Sequence, residues 1–113
     1  MLLKAPKNDA KYHWTNHVVM KMAYYGLSEG RVKRVLRAPV RSELGVAENT
    51  IAVMQPIGTE KRPAEIWVMY QKRGVKKVII TAWRYPGVSP VRDQIPIPQD
   101  ILAELKEAGF LKA

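Results

Sequence analysis

The residues best suited to chemistry are a histidine and a lysine in the first quarter of the chain. His17 and Lys21 lie four residues apart in the segment HVVMKMAYYGLS, so on a helix they share one face. Cleavage of RNA without a metal ion needs a base, an acid and cations around the phosphate. The imidazole of His17 titrates near neutral pH, and Lys21 supplies a cation one turn away. An inert, solvated helix face fits the same two residues equally well.

Two residues farther along the chain complete the predicted catalytic set. Arg84 follows an apolar run and can hold a phosphate with two parallel N–H groups. Tyr85 carries a hydroxyl that can donate a proton or a hydrogen bond, and Tyr70 and Thr81 are further candidates for this role. Successive side chains of a strand point to opposite faces, so Arg84 and Tyr85 share one site only if the strand twists or ends there. The catalytic hypothesis therefore requires His17, Lys21 and Arg84 to converge on one concave surface.

Positive charge dominates the composition. The chain has 19 Lys and Arg against 10 Asp and Glu, which gives a formal net charge of +9. Much of the excess lies in two clusters, which suits a polyanion whose binding depends strongly on salt. A solubilising surface is the alternative interpretation. The residues predicted to contact nucleic acid are Arg31, Arg34, Arg37, Arg41, Lys72, Arg73, Lys76 and Lys77.

Composition also argues against several classes of site. The chain has no cysteine, which excludes disulfides, thiolate zinc sites and thiol nucleophiles. His13 and His17 have the spacing of a helical metal pair, but Trp14 and Thr15 indicate that the helix starts between them. We therefore expect no metal and no cofactor. The apolar runs are far shorter than a membrane span and no signal-peptide pattern is seen, so we expect no membrane contact and a cytoplasmic location.

Apolar spacing and capping residues predict two short helices near the N-terminus. Thr15 or Asn16 caps the first, which runs from about residue 17 to residue 25 and stops at Gly26. Ser28 caps the second, which runs to about residue 36. Because so few residues separate them, the two helices are predicted to form a helical hairpin.

The rest of the chain is predicted to be mainly strands. The elements expected there are strands at 50–55, 66–70 and 78–85, a weaker strand at 41–47, a proline-rich connection at 86–99 and a C-terminal helix at 100–109. This order predicts an α+β fold in which the N-terminal helical hairpin packs on an antiparallel sheet of three or four strands. The added C-terminal helix completes a two-layer sandwich, and residues 1–113 are predicted to form a single domain.

Much of the chain also resembles a known family. The shared pattern consists of a histidine, a basic residue and methionine one turn later, a Gly-aliphatic-Ser turn, and a second helix ending near proline. Here it is formed by His17, Lys21, Met22, Gly26, Leu27, Ser28, Val32, Val35, Leu36 and Pro39. Over residues 12–85 the chain resembles the small-domain family called domain of unknown function 4258, in which arginine is usual at the position of Lys21 and common at that of Tyr25. The resemblance implies a fold similar to RelE-like and BrnT-like ribonuclease toxins, of the RelE/barnase-like type, and a role in a toxin–antitoxin pair.

Three functions remain open from the sequence. The first is a small toxin-type ribonuclease that cleaves RNA through His17 and Lys21 without a metal ion. The second is a nucleic-acid-binding module without catalysis, and the third is a basic interaction domain that docks an acidic, antitoxin-like protein. A steep fall of RNA affinity with salt separates the first two from the third. Metal-free cleavage that is lost in His17→Ala separates the first from the second.

Overall fold

A five-stranded sheet with three helices makes up the fold, and the computed structural model describes residues 4–91 and 94–111. In chain order the elements are β1 (Tyr12–Trp14), α1 (Asn16–Tyr25), α2 (Glu29–Arg37), β2 (Arg41–Leu44), β3 (Thr50–Gly58), β4 (Pro63–Arg73), β5 (Lys76–Pro86) and α3 (Gln99–Glu107). The strand order across the sheet is β1-β5-β4-β3-β2. Strand β1 is parallel to β5, and every other neighbouring pair is antiparallel.

The sheet has a hydrophobic core on both faces because its central strands are apolar on both sides. Along β4, Ile66 and Val68 pack with α1 and α2, whereas Trp67 and Met69 pack with α3. This alternation is the period of two that a strand imposes on its side chains. We call the two sides the α1/α2 face and the α3 face. A sheet covered on both sides buries nearly continuous apolar runs such as residues 78–83.

The two N-terminal helices begin and end where their capping residues indicate. Thr15 Oγ1 accepts a hydrogen bond from the Val18 N–H, and Ser28 Oγ accepts one from the Arg31 N–H. Gly26 ends α1 with a φ of 69°, a left-handed conformation that glycine adopts without steric cost. Both observed helices therefore agree with the predicted boundaries to within a residue.

The edge of the sheet next to α1 is shaped by a parallel pairing and a β-bulge. Strand β1 pairs with residues 77–79 of β5. Immediately afterwards the register of β5 against β4 shifts, so that Ile80 is the extra residue between the paired positions Ile79 and Thr81. The Thr15 hydroxyl lies 2.9 Å from the Ile79 carbonyl oxygen and 3.0 Å from that of Ile80. The residue that caps α1 therefore also fixes the helix to the bulge.

The predicted fold, a helical hairpin on a three- or four-stranded antiparallel sheet in two layers, is wrong. The sheet has five strands and is mixed, since β1 precedes the helices and runs parallel to β5. The helices do not pack as a hairpin: α1 lies mainly against β5, and α2 against β3 and β4. Helix α3 packs on the opposite face through Ile101 and Leu105. With helices on both faces of the sheet, the fold has three layers.

Other predicted boundaries differ from those of the observed elements. Strand β3 continues through Pro56 to Gly58, although proline cannot donate a ladder hydrogen bond. It is tolerated because β2 pairs only with residues 51–54 of β3, which leaves Pro56 on a free edge. The C-terminal helix is two residues shorter at its end than predicted. Of the connection predicted at 86–99, residues 92 and 93 lie outside the described residues.

Candidate nucleic-acid interface

His17 lies at the start of α1, half-buried against the bulge of β5. Its Nε2 is 2.9 Å from the hydroxyl oxygen of Thr81, a side chain that is fully buried. The pKa of His17 is below its usual range mainly because burial disfavours the charged ring, although the nearby Glu104 carboxylate opposes this shift and Lys21 adds to it. The imidazole is therefore neutral at pH 7, which is the form that can accept a proton.

Lys21 is buried between two carboxylates of α3. Its Nζ lies 2.7 Å from Glu104 Oε1 and 3.3 Å from Asp100 Oδ2, and its side chain is only 8% exposed. Burial lowers the pKa of Lys21, but the hydrogen bonds that its ammonium donates to Glu104 and Asp100 and the negative charge of these carboxylates outweigh burial and raise the pKa above the ordinary value. Lys21 is thus charged, yet its charge is already neutralised inside the protein. It is not the free cation that a phosphate beside His17 would need.

The structure does not bring the four predicted catalytic residues into one cleft. Arg84 donates a 3.1 Å hydrogen bond from Nη2 to the carbonyl oxygen of Tyr25, the last residue of α1. His17 is at the other end of that helix, roughly 12 Å away along its axis. Tyr85 packs against the core of the α3 face, so it points away from Arg84, as the alternation of a strand requires.

The surface around His17 is acidic rather than basic. A shallow depression of about 420 Å³ beside the ring is lined by His17, Met20, Glu104, Glu107 and Ala108. Two carboxylates at its border repel the phosphates of RNA. Neither Arg84 nor Tyr85 contributes to the lining. The convergence that the catalytic hypothesis requires is therefore not seen, since Lys21 lies one turn after His17 on α1 but does not line the depression either.

The lowered pKa of His17 predicts a specific pH dependence of stability. In the unfolded state His17 binds a proton near pH 6.5, whereas in the folded state its pKa is lower. The stability that neutral His17 contributes is therefore complete above pH 6.5 and is lost as the pH falls through 6.5 towards the folded pKa. In His17→Gln, the free energy of unfolding should fall less between pH 7.5 and 5.5 than in the parent. Urea titrations at several pH values measure this. The control is His13→Gln, which removes the other histidine; if it alone flattened the profile, the assignment to His17 would be wrong.

Arg41, predicted as part of the basic surface, belongs instead to a buried polar cluster. Its side chain is 10% exposed and lies over the Trp67 ring at 5.1 Å. The guanidinium donates hydrogen bonds to Glu43 Oε2 at 2.6 Å and to the Ser89 hydroxyl at 2.8 Å. Because its charge is paired and covered, Arg41 is positioned to hold residues 89–90 on the sheet rather than to contact a ligand.

The three arginines predicted on the second helix remain on the surface. Arg31, Arg34 and Arg37 are all exposed on α2. The neighbouring Lys33 is paired with Glu29 at 2.7 Å, one turn earlier on the same helix. The part of the chain that the structure describes shows no carboxylate within salt-bridge distance of the three arginines, so their charges are available to a polyanion.

The second predicted cluster lies at the turn between β4 and β5. Lys72 and Lys77 pair across the two strands, and so do Arg73 and Lys76. Strand alternation puts Lys77 on the α1/α2 face, where it lies 5.1 Å from the Tyr70 ring. Arg73 and Lys76 are on the α3 face. The turn therefore presents positive charge on both sides of the sheet, and within residues 4–91 and 94–111 no carboxylate pairs with these four side chains.

On the α3 face, this turn borders a depression that the sequence did not indicate. The depression has a volume of about 370 Å³, and we call it the basic cleft; its lining residues are His13, Thr15, Arg73, Lys76, Val78 and Phe110. Its polar side chains include His13 from β1, Lys76 from β5 and Arg73 from β4, and no carboxylate lines it. Among the residues that line it, Arg73 and Lys76 were predicted to bind nucleic acid, whereas His13 and Phe110 were not. A three-residue strand paired with a partner far along the chain leaves no periodic signal from which to place His13.

Comparisons of the chain with protein-family models, with curated proteins and with solved structures find no match. The resemblance to domain of unknown function 4258 accordingly stays a prediction. Among the described residues, no helix is long and apolar enough to cross a membrane. Residues 4–91 and 94–111 also contain no group of three or more His, Asp or Glu side chains arranged to hold a metal ion.

Proposed function

We propose that this chain is a nucleic-acid-binding protein that holds phosphates in the basic cleft and on the adjoining β4–β5 turn. The observation that supports this most directly is the lining of the cleft. His13, Arg73 and Lys76 approach one concave surface from three strands, with no carboxylate among the lining residues. Concave, single-sign surfaces concentrate the field and attract polyanions. A cytoplasmic location, where RNA is abundant, is part of this proposal.

The exposed arginines of α2 extend the positive surface beyond the cleft. Arg31, Arg34 and Arg37 lie on the other side of the sheet from Arg73 and Lys76, so they add a second contact region rather than enlarging the first. Long-range attraction from both regions speeds the encounter with a polyanion. Phosphate contacts alone carry no sequence information, so the expected binding is salt-sensitive and tolerant of sequence.

Binding without catalysis is better supported than cleavage. Lys21 is neutralised by Asp100 and Glu104, and the depression beside His17 is bordered by Glu104 and Glu107. Metal-free cleavage by His17 stays a prediction, and it has a direct test. Labelled RNA is incubated with the protein in excess chelator and then separated on a gel. Fragments that disappear in His17→Gln would restore the ribonuclease hypothesis.

The binding proposal predicts which charges matter. In the variant Arg73→Gln with Lys76→Gln, the slope of log affinity against log salt concentration should become shallower by about 1.4 to 1.8, because two phosphate contacts are lost. Fluorescence anisotropy with a labelled RNA measures it between 50 and 200 mM salt. The matched control is Lys61→Gln with Arg62→Gln, which removes the same charge from exposed positions in the turn at the opposite end of β4.

Two results would count against this assignment. If parent affinity stays constant over that salt range, the partner is not a polyanion held by phosphate contacts. If both double variants lower affinity equally, only net charge matters and the basic cleft has no special role.

A further inference from the structure

Phe110 occupies an unusual position between a charged and an apolar surface. It follows α3 directly, where Gly109 has a φ of 86° and the Phe110 N–H donates to the Leu105 carbonyl oxygen at 2.9 Å. This is the hydrogen bond of a glycine-capped helix end, and it fixes the direction in which the ring leaves the helix. Phe110 lines the basic cleft. It also lines a second depression, whose remaining members are Val46, Ala47, Glu48, Leu102, Gly109 and Leu111.

Unlike the other aromatic rings near the basic turn, Phe110 has no partner over its face. Tyr12 is covered by Lys33 at 5.3 Å, and Tyr70 by Lys77 at 5.1 Å. All three residues also pack in part against the core, the tyrosines on the α1/α2 face and the half-buried Phe110 on the α3 face. For Phe110, the described part of the chain provides neither a stacked ring nor a cation over the ring. Beside the turn, Phe110 is therefore the aromatic side chain whose ring is available for stacking with a ligand.

We propose that the basic cleft binds single-stranded nucleic acid, with one base stacked on Phe110 and the adjoining phosphates held by Arg73 and Lys76. This inference rests on the proposed function and narrows it to one class of ligand. An aromatic platform beside a positively charged groove is the combination that single strands use, because every base has a π-face and every nucleotide has a phosphate. A base inside a duplex is already stacked on both sides and cannot use the ring.

The shape of the surface also favours a single strand over a duplex. The cleft lies between the β1 edge of the sheet and the end of α3, so it is recessed rather than projecting. Reading a duplex requires a helix or a β-ribbon that enters a groove, and the short turn at Gly74 does not form one. His13, on the edge strand β1, adds a third polar side chain beside Arg73 and Lys76.

The test compares three probes with the full chain. The probes are a dye-labelled 12-nucleotide single strand, the duplex of the same sequence, and the same single strand with abasic sugars in place of its bases. The parent should bind the single strand most tightly. The abasic strand keeps the phosphates but loses the stacking, so it should bind about fivefold or more weakly.

Variants then locate the stacking. Phe110→Leu should lower affinity for the intact single strand to about that for the abasic strand, and Phe110→Trp should retain the parent affinity. Tyr24→Leu is the matched control, because Tyr24 is 74% exposed on α1, away from the cleft. Thermal melts of each variant show whether the fold is kept, and the Trp variant keeps the test decisive if the Leu variant is destabilised.

The outcomes separate this inference from the function on which it rests. Parent protein that binds none of the probes overturns both. Equal binding of single strand and duplex, or a single-strand preference that survives in Phe110→Leu, overturns the stacking site and leaves the binding function in place. A single-strand preference that is lost in Phe110→Leu but kept in Tyr24→Leu supports the stacking site.

Discussion

Replacing Glu65 by alanine should lower the free energy of unfolding by about 3 to 5 kcal/mol. Glu65 is 3% exposed on β4, and it accepts three hydrogen bonds. The donors are the Trp67 indole N–H at 2.9 Å, the Ser89 backbone N–H at 3.1 Å and the Ser89 hydroxyl at 2.6 Å. Alanine leaves all three buried donors without a partner. It also breaks the hydrogen-bonded connection from Glu65 through the Ser89 hydroxyl to the Arg41 guanidinium.

Urea denaturation followed by tryptophan fluorescence measures this loss. Glu65→Gln keeps the size and one acceptor oxygen, so it should cost about half as much or less. Glu60→Ala, in the exposed β3–β4 turn, is the control and should change stability by no more than about 0.5 kcal/mol. A loss below about 1 kcal/mol in Glu65→Ala would mean that the cluster does not hold residues 89–90 on the sheet.

The second large effect is expected when Lys21 loses both partners. In Asp100→Asn with Glu104→Gln, a buried ammonium remains without a countercharge. The free energy of unfolding at pH 7 should fall by about 2 to 3 kcal/mol. This is less than for a fully buried pair, because the carboxylate side chains are 58% and 38% exposed and water screens part of the interaction. Helix α3 should lose protection from hydrogen exchange at the same time.

A third substitution and a pH series distinguish this cause from a general weakening of α3. In a Lys21→Met background the same two changes should cost less than about 1 kcal/mol, because no buried charge is left. In the parent, the raised pKa of Lys21 contributes stability below about pH 10.5 that is lost at higher pH. Without its partners Lys21 has a lowered pKa, so the variant should regain stability as the pH rises towards 10.5. Identical pH profiles would refute the role of the ion pairs.

Local signals in the sequence were sufficient for the helices and the long strands. As helix caps, Thr15, Ser28 and Gly26 act on backbone groups within four residues of themselves, so this capping can be predicted without knowing the fold. The same holds for the apolar runs of β4 and β5. The number of layers could not be obtained in this way. It depends on α3 packing against the sheet through Ile101 and Leu105, and the spacing of those residues shows an apolar helix face but not which side of the sheet receives it.

The candidate site was harder to predict because its charges are decided by distant partners. Lys21 and Asp100 are 79 residues apart in sequence, and Arg41 meets Ser89 from 48 residues away. Without those distant partners, Lys21 was predicted as a catalytic residue or part of a solvated helix face, and Arg41 as a nucleic-acid-binding residue. Arg73 and Lys76 flank a tight turn, where Arg73 donates a 2.8 Å hydrogen bond to Gln71 Oε1 and no carboxylate among the described residues pairs with either side chain. Their neighbours His13 and Phe110 enter the cleft only through the parallel pairing of β1 and the end of α3.

The parallel pairing of β1 with β5 also constrains the order in which the protein folds during its synthesis. The partner of Tyr12 is Lys77, made by the ribosome 65 residues later, so β1 has nothing to join until most of the polypeptide has emerged. The β3–β4 and β4–β5 hairpins close over short sequence distances, so each forms as soon as its second strand has emerged. Val18 and Met22 on the first helix stay unprotected until β5 arrives. The nascent N-terminal third is thus the portion that cellular chaperones are expected to shield.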